Sequence, residues 1–405
     1  RPGPFFVWIA FSGIDHRDFA ARALMPRLLY LVTEDWYFCL HRLPIARAAR
    51  DAGFEVMVAT QVQDHATVIE GEGFQLIPMQ WQRGSLNPLH AVFELRQIAG
   101  IYRKYRPDLV HHVALKPSLV GSIASALTGV SPVVNNLAGL GQSFTADGMA
   151  AAMMRMALTG AFGFLFSRPH TCTIVENSDD QAFLTTRAGL EADSVALIRG
   201  IGVDEQRFVP QDEPQHDEPV VTMVSRLLWP KGVRELVDAG AILRERGIRV
   251  RIRLVGTPDP TSRVSVPEAQ LRQWDAQGAL EWLGHRDDIP EIWRDSTIAV
   301  LPSYYREGIP RSLLEAAACG RAIVTTDMPG CREIVRHGEN GLLVPPRDAL
   351  ALADAIAALA TDPDRRQRMG RAGRERVEQE FSEHHVVAQT LALYRRLMEH
   401  RPTAG

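Results

Sequence analysis

The chain has 405 residues, 46% of them hydrophobic and 23% charged, with 31 Gly and 25 Pro. That length allows two to three domains and that composition belongs to a folded protein, which excludes wholesale disorder. Its 45 basic and 48 acidic residues leave a net charge of −3, so there is no electrostatic footprint for general nucleic-acid binding.

The apolar stretch Phe5–Phe11 is too short to cross a bilayer, and no strongly cationic segment precedes it. The first methionine, Met25, stands just before the strand-like run RLLYLV. Residues 1–24 are therefore expected to lie outside the fold, as an extension upstream of a start at Met25. Strands are predicted at Leu28–Thr33, Glu55–Thr60, Phe74–Pro78, Leu109–Val113, Val133–Asn135, Thr171–Glu176 and Ala196–Ile198. Helical patterns lie between them at Leu40–Ala52, Leu89–Tyr105 and through Gly121–Thr128. Strands alternating with helices call for parallel βαβ units, because a parallel pair needs a crossover. Residues 149–166, MAAAMMRMALTGAFGFLF, carry the longest apolar run, interrupted by Arg155. A buried or half-buried helix is the expectation there, with contact to a membrane surface as the alternative; no segment is expected to span a membrane.

The stretch 208–219, FVPQDEPQHDEP, has no apolar period and reads as a linker. Alternation then resumes, with strands at Val220–Val224, Val250–Val255, Leu280–Trp282, Ile298–Leu301, Ala322–Thr325 and Leu342–Val344. Helices are predicted at Gly232–Arg246 and Pro310–Cys319, and a last one at Glu383–His400 could cross back to the first half. The fold class is thus α/β, with two doubly wound, Rossmann-like domains facing a cleft: 25–207, then the linker, 220–380, and the terminal segment 381–405. Four scattered cysteines, Cys39, Cys172, Cys319 and Cys331, form neither a disulfide framework nor a Cys-x-x-Cys pattern. That usage fits a reducing, cytoplasmic setting.

In open α/β sheets ligands meet the loops at the carboxyl ends of strands. The richest such loop is PSYYREGIPRSLLEAAACG, 302–320. Pro310 suits the first helical position and Gly320 the residue past the helix end. The free N–H groups at 308–312 and the positive helix end make an anion site, with Arg311 beside it. Glu307 precedes the helix, and Glu315 sits among apolar neighbours where a merely solvated carboxylate is out of place. In TMVSRLLWPKG, 222–232, Arg226 and Lys231 follow a strand end and suit a pyrophosphate. Two surface cations are the bland alternative.

With these residues in view, 220–346 resembles the donor-binding domain of family 4 retaining glycosyltransferases, which have the GT-B fold. The matching text is SRLLWPKG, LVGTPD, WLGHRDDI, VLPSYYREGIPRSLLEAAACGRAIVTTDMPG and ENGLLVPP, with Glu307 and Glu315 forming the Glu-x7-Glu pattern. The first half matches through VTEDWYFCLHRLPIARAA, HHVALKPSLVGSIAS, NNLAGLG and RGIGVDEQRF. That combination is similar to the bacterial subgroup acting on undecaprenyl-diphosphate-linked saccharides.

The resemblance implies a UDP-sugar donor, a lipid-linked saccharide acceptor, and attachment to the inner face of the cytoplasmic membrane. Arg226 and Lys231 would neutralise the leaving diphosphate and Glu315 would bind the ribose hydroxyls. Glu307, with the N–H groups of Gly308 and Ile309, would hold the transferred sugar and the β-phosphate. Arg311 would touch the diphosphate or the donor sugar, and backbone groups near Arg286 and Ile289 would meet the base. The amino-terminal domain would bind the acceptor, with Glu34, Asp35, His41, Lys116, Asn136, Gly139 and Gly141 on that side. His112 either lies near the reacting sugar or supports it from behind as a hydrogen-bonded histidine; His111 is expected to be structural. Glu34-Asp35-Trp36 stands where many relatives carry a Gly-Gly pair.

No Asp-x-Asp sits in a strand-end loop; Asp362-Pro363-Asp364 lies in a helix-entry turn, so no metal and no cofactor is expected. A non-hydrolysing UDP-sugar epimerase or an inactive scaffold of the same fold are the rival readings. An epimerase would need several acid/base groups around the sugar, which cannot be placed. No Gly-x-Gly-x-x-Gly, P-loop or Gly-x-Ser-x-Gly text supports a dinucleotide oxidoreductase or another class.

Overall fold

The computed structural model describes residues 25–81, 88–140, 144, 148–260 and 262–399. The amino-terminal half is built on β1 (Arg27–Glu34), β2 (Glu55–Gln61), β3 (Gln75–Pro78), β4 (Leu109–Val113), β5 (Val133–Leu137), β6 (Thr171–Val175) and β7 (Val195–Leu197). They form one sheet in the order β3-β2-β1-β4-β5-β6-β7. The carboxyl-terminal half uses β8 (Val220–Val224), β9 (Arg251–Val255), β10 (Glu281–Trp282), β11 (Ile298–Leu301), β12 (Ala322–Thr326) and β13 (Gly341–Val344). Their order is β10-β9-β8-β11-β12-β13. All the pairings are parallel.

Parallel strands are covered by helices on both faces and so are apolar along their whole length. The run Leu28–Val32 of β1 is fully buried, as is the start of β8 at Val220 and Val221. Strand order reverses between β1 and β4 in one sheet and between β8 and β11 in the other. Those two switch points are where an open sheet leaves a crevice for ligands.

Three local expectations change. The helix expected over Leu40–Ala52 is two helices, Asp35–His41 and Leu43–Asp51, hinged at Arg42. Pro44 stands in the first turn of the second and has no N–H to give the Leu40 carbonyl, so the ladder breaks there. Pro310 is the residue before the helix Arg311–Ala318 rather than its first residue, with ψ of 107°. The helix Met149–Phe166 is not a core helix: only Phe162, Leu165 and Phe166 are buried. Met149 is 82% exposed, Met156 72% and Phe164 77%. By length and composition alone it could cross a membrane.

The 208–219 stretch holds neither helix nor strand, yet it is pinned to the carboxyl-terminal half. Phe208 is buried in that core, and Glu213 takes a two-pronged bond from Arg366 at 2.9 and 2.7 Å. Asp362 caps the helix Pro363–Arg376 by accepting the Arg365 N–H. The last helix, Glu383–Glu399, returns to the amino-terminal half, where Tyr394 is buried against Tyr30 at 3.0 Å and His111 at 2.5 Å.

Candidate active site

At the carboxyl-terminal switch point, the turn after β8 and the loop after β11 meet through an ion pair. Lys231 Nζ lies 2.5 Å from Glu307 Oε1, and the Ser303 hydroxyl donates to the same oxygen at 2.9 Å. Ser303 is itself held, because the Thr326 hydroxyl donates to its carbonyl. Glu307 is 8% exposed, and a buried carboxylate is costly unless it is paired and hydrogen-bonded, as it is here. Arg226 remains half exposed and pairs with Asp259 at 3.3 Å. Glu315 is also buried; desolvation pushes its carboxyl up, and Arg311 one turn earlier, at 2.7 Å, pulls it back.

Arg311 does not end there. Its other arm donates to the Leu40 carbonyl at 2.7 Å, the acceptor that Pro44 leaves unbonded. The guanidinium thus spans the two halves between Glu315 and Leu40. Arg226, Arg311 and Arg42 all bear on His41. Burial and these three cations push its imidazole down to about 3. A neutral histidine among three guanidiniums suits a ligand with several negative charges. Arg286 pairs with Asp288 through both arms on the surface, and Ile289 opens the short helix Ile289–Arg294 against the core.

The remaining amino-terminal candidates divide differently. Glu34 closes β1, half-buried. Asp35 is fully buried and accepts the N–H groups of Trp36, Gln63 and His65 at 2.7 to 2.9 Å, so it ties two loops together instead of meeting an acceptor. Lys116 pairs with the buried Glu94 at 2.6 Å and lies over the Trp81 ring. Asn136, on β5, accepts from Arg42. His112 does not reach a sugar: it is fully buried, Nε2 meets the Tyr102 hydroxyl at 2.7 Å and Nδ1 meets Asn135 Oδ1 at 2.8 Å. Burial pushes it down to about 4. His111 is likewise internal. Gly141 falls outside the described residues.

Gly139 and Gly308 do approach something closely, and it is each other. Gly139 has φ of +85°, and a Cβ on it would lie 2.5 Å from the Gly308 nitrogen. A Cβ on Gly308 would lie 2.1 Å from Glu176 Oε2. The Ile309 N–H, expected to hold the donor, instead donates to Glu176 Oε2 at 3.0 Å.

Sequence reasoning missed this second set of residues. Asn177 donates to the Glu307 carbonyl at 3.2 Å, Arg306 pairs with buried Asp180 at 2.7 Å, and Glu333 takes bonds from Ser178 and Arg199 at 2.7 and 3.0 Å. The signal available was VENSDD, 175–180: a carboxylate directly after the largely β-branched run TCTIV, then Asn with acids in the next turn, a helix start. Nothing in it says that these groups face another half of the chain. Among the described residues no three His, Cys, Asp or Glu side chains converge as metal ligands.

Known proteins share both halves. Residues 204–376 match the family model of glycosyl transferases group 1, and residues 27–168 match the glycosyl transferase 4-like model. The chain is 27% identical over 370 residues to the N,N'-diacetylbacillosaminyl-diphospho-undecaprenol alpha-1,3-N-acetylgalactosaminyltransferase of Campylobacter jejuni, covering 88% of this chain and 95% of that one. It is 35% identical to alpha-maltose-1-phosphate synthase of Mycolicibacterium smegmatis, over 53% of this chain and 60% of that protein. Among solved structures, sucrose-phosphate synthase of Thermosynechococcus elongatus superposes with a TM-score of 0.76 at 22% identity, over 93% of this chain and all of that one. Anabaena HepE, crystallised with UDP and glucose, gives 0.72 at 22% identity over 91% of this chain and 99% of that one. With one half matched to glycosyl transferases group 1, the other to the glycosyl transferase 4-like model, and the two-sheet architecture shared, the chain is a glycosyltransferase of the GT-B fold.

Proposed function

We propose that the enzyme moves a hexose or N-acetylhexosamine, with retention, from a UDP-sugar to a saccharide carried on undecaprenyl diphosphate. The observation that carries this reading is the buried Lys231–Glu307 pair at the β8/β11 switch point, with Arg226 in the same turn after β8. Departure of a nucleoside diphosphate builds negative charge on the β-phosphate, and fixed cations lower that barrier. Arg226, which pairs with Asp259 at 3.3 Å and stays half exposed, and Lys231 supply them. Glu307 holds the sugar hydroxyls, and Glu315 the ribose. The bond from the anomeric carbon to the phosphate oxygen breaks while the acceptor hydroxyl adds on the same face; its proton passes to the departing phosphate.

The lipid-linked acceptor is supported by the C. jejuni relative, whose name places its substrate on undecaprenol, and UDP by the HepE complex. The test of the donor is calorimetric titration of UDP, GDP and ADP against the wild type and Arg226→Ala. Selective UDP binding, weakened in the variant, is expected; equal binding of all three nucleotides would remove the UDP assignment.

A membrane surface is the natural place to meet such an acceptor. The exposed face of Met149–Phe166 offers Met149, Met153, Met156 and Phe164. No acidic residue occurs between 148 and 175, where Arg155 and Arg168 do, so the occupant we propose is an anionic lipid leaflet. Flotation with phosphatidylglycerol vesicles is expected to carry the wild type and to leave a Met153→Glu/Met156→Glu variant behind. Equal flotation of both would exclude this helix as the contact.

A further inference from the structure

The loop that carries Glu307 is gripped from the opposite half almost residue by residue. Arg306 is paired with Asp180, the Glu307 carbonyl accepts from Asn177, Gly308 lies against Glu176 and Ala138, and the Ile309 N–H donates to Glu176. All three gripping residues, Glu176, Asn177 and Asp180, leave the end of β6 in a single turn. They are 5%, 0% and 0% exposed. Glu176 is the hub. Its second oxygen lies 3.6 Å from the Arg42 guanidinium, which is 2% exposed and also donates to Asn136. A buried carboxylate with no fixed cation would not stay in place; here Arg42, held at the kink before Pro44, supplies it.

We infer that Glu176 is a positioning residue for the transfer reaction: through the Ile309 N–H it sets the backbone beside Glu307 when the two halves meet. The inference rests on the reading of Glu307 as a donor-sugar contact and deepens it. The carboxyl-terminal half holds the Glu307 side chain through Lys231 and Ser303, and the amino-terminal half holds its backbone. Neither half alone defines where the carboxylate sits, so closing the cleft completes the site. Glu176 touches no substrate in this account, and the Ile309 N–H is not a phosphate donor.

The test compares Glu176→Gln with Glu176→Ala. Glutamine keeps a carbonyl oxygen for the Ile309 N–H; alanine removes it. A displacement of the loop by about 1 Å costs on the order of 100-fold in turnover. Glu176→Ala is therefore expected to lose roughly that in kcat, with the KM for the donor and the UDP dissociation constant within about threefold. Glu176→Gln is expected to recover most of the rate. Amide exchange of the peptide 303–312 gives a readout independent of activity. Protection in the wild type should persist in Glu176→Gln and fall at least about tenfold in Glu176→Ala.

Exchange that is the same in all three proteins would overturn the inference. So would Glu176→Gln failing as badly as alanine in both rate and exchange. If the exchange pattern appears but the wild type transfers no sugar from any UDP-sugar tried, the donor reading falls while the backbone contact stands. Should Glu176→Ala not fold, an Asn177→Ala variant, which removes the bond to the Glu307 carbonyl together with the cap on Asp180, must still loosen the same peptide; an unchanged peptide there rejects the grip.

Discussion

Two buried glutamates sit on opposite sides of the cleft, Glu307 after β11 and Glu176 after β6, and each is paired with one cation, Lys231 or Arg42. Glu307 lies between loops of its own half and is 8% exposed; Glu176 is 5% exposed and spends one oxygen on the other half's backbone. The difference teaches what a carboxylate after a strand is for. Where its partners come from one domain, it is poised to receive something in the cleft. Where they come from both, it receives the other domain.

The sharpest way to break that contrast is Glu307→Gln. Loss of one charge at the reacting centre should lower kcat by about 100- to 1,000-fold. UDP affinity should stay within a few-fold, since the proposed reading gives the diphosphate to Arg226 and Lys231. Steady-state kinetics with calorimetry on the same preparation checks both. Unchanged turnover would remove Glu307 from the site and make it a strut like Glu176. Next in size is Arg226→Ala. Its guanidinium is half exposed and its pair with Asp259 lies at the surface, so its removal should cost little stability. A charge-assisted bond to phosphate is worth about 1.5–3 kcal/mol, or roughly 10- to 100-fold in UDP affinity. An unaltered dissociation constant would leave Arg226 a surface cation.

The same contrast explains what could be read from the chain. Both sheets follow from apolar runs alternating with helical patterns, and most observed strands begin and end within a residue of their expected bounds, as β4, β8 and β11 show. Glu307, Lys231 and Arg226 stand where strand ends place them. His112, near the end of β4, and Asp35 and Gly139, which follow strands, are also at strand ends, yet Tyr102 and Asn135, the N–H groups of Gln63 and His65, and the Gly308 backbone claim them. A sequence shows that a polar residue leaves a strand, and its spacing shows the face. It does not show whether that face meets solvent, a neighbouring loop or a second domain, because those partners lie up to 130 or more residues away: Asn177 and Glu307 are one such pair.

Smaller effects test the amino-terminal half as scaffold. His112→Phe removes a buried imidazole bonded at both nitrogens and leaves Tyr102 and Asn135 each short of a partner. That should cost about 1–3 kcal/mol of stability in urea unfolding while kcat stays within about twofold. A large fall in kcat from an otherwise stable His112→Phe protein would return the imidazole to the reaction.

That stability cost should itself depend on pH, and its sign is fixed by the burial of the ring. In the fold His112 is pushed down to about 4 from an ordinary value of 6.5. Between those values the unfolded chain binds a proton that the native protein refuses, so the wild type loses stability as pH falls. The loss runs at about 1.4 kcal/mol per pH unit for one histidine through the middle of that window. Buried Glu176 and Glu315, whose carboxyls are pushed up by desolvation, act the other way, because the native state takes up their protons first. The raw acid profile therefore mixes opposing groups from both sides of the cleft. Subtracting the His112→Phe profile from that of the wild type cancels the carboxylates and leaves the histidine alone. The advantage of the wild type over the variant should shrink steadily from pH 6 to pH 4.5 and be constant above pH 7. A difference that stays level across the whole range would mean that the ring is already charged or open to water in the fold, and His112 would then rejoin the groups that face the cleft.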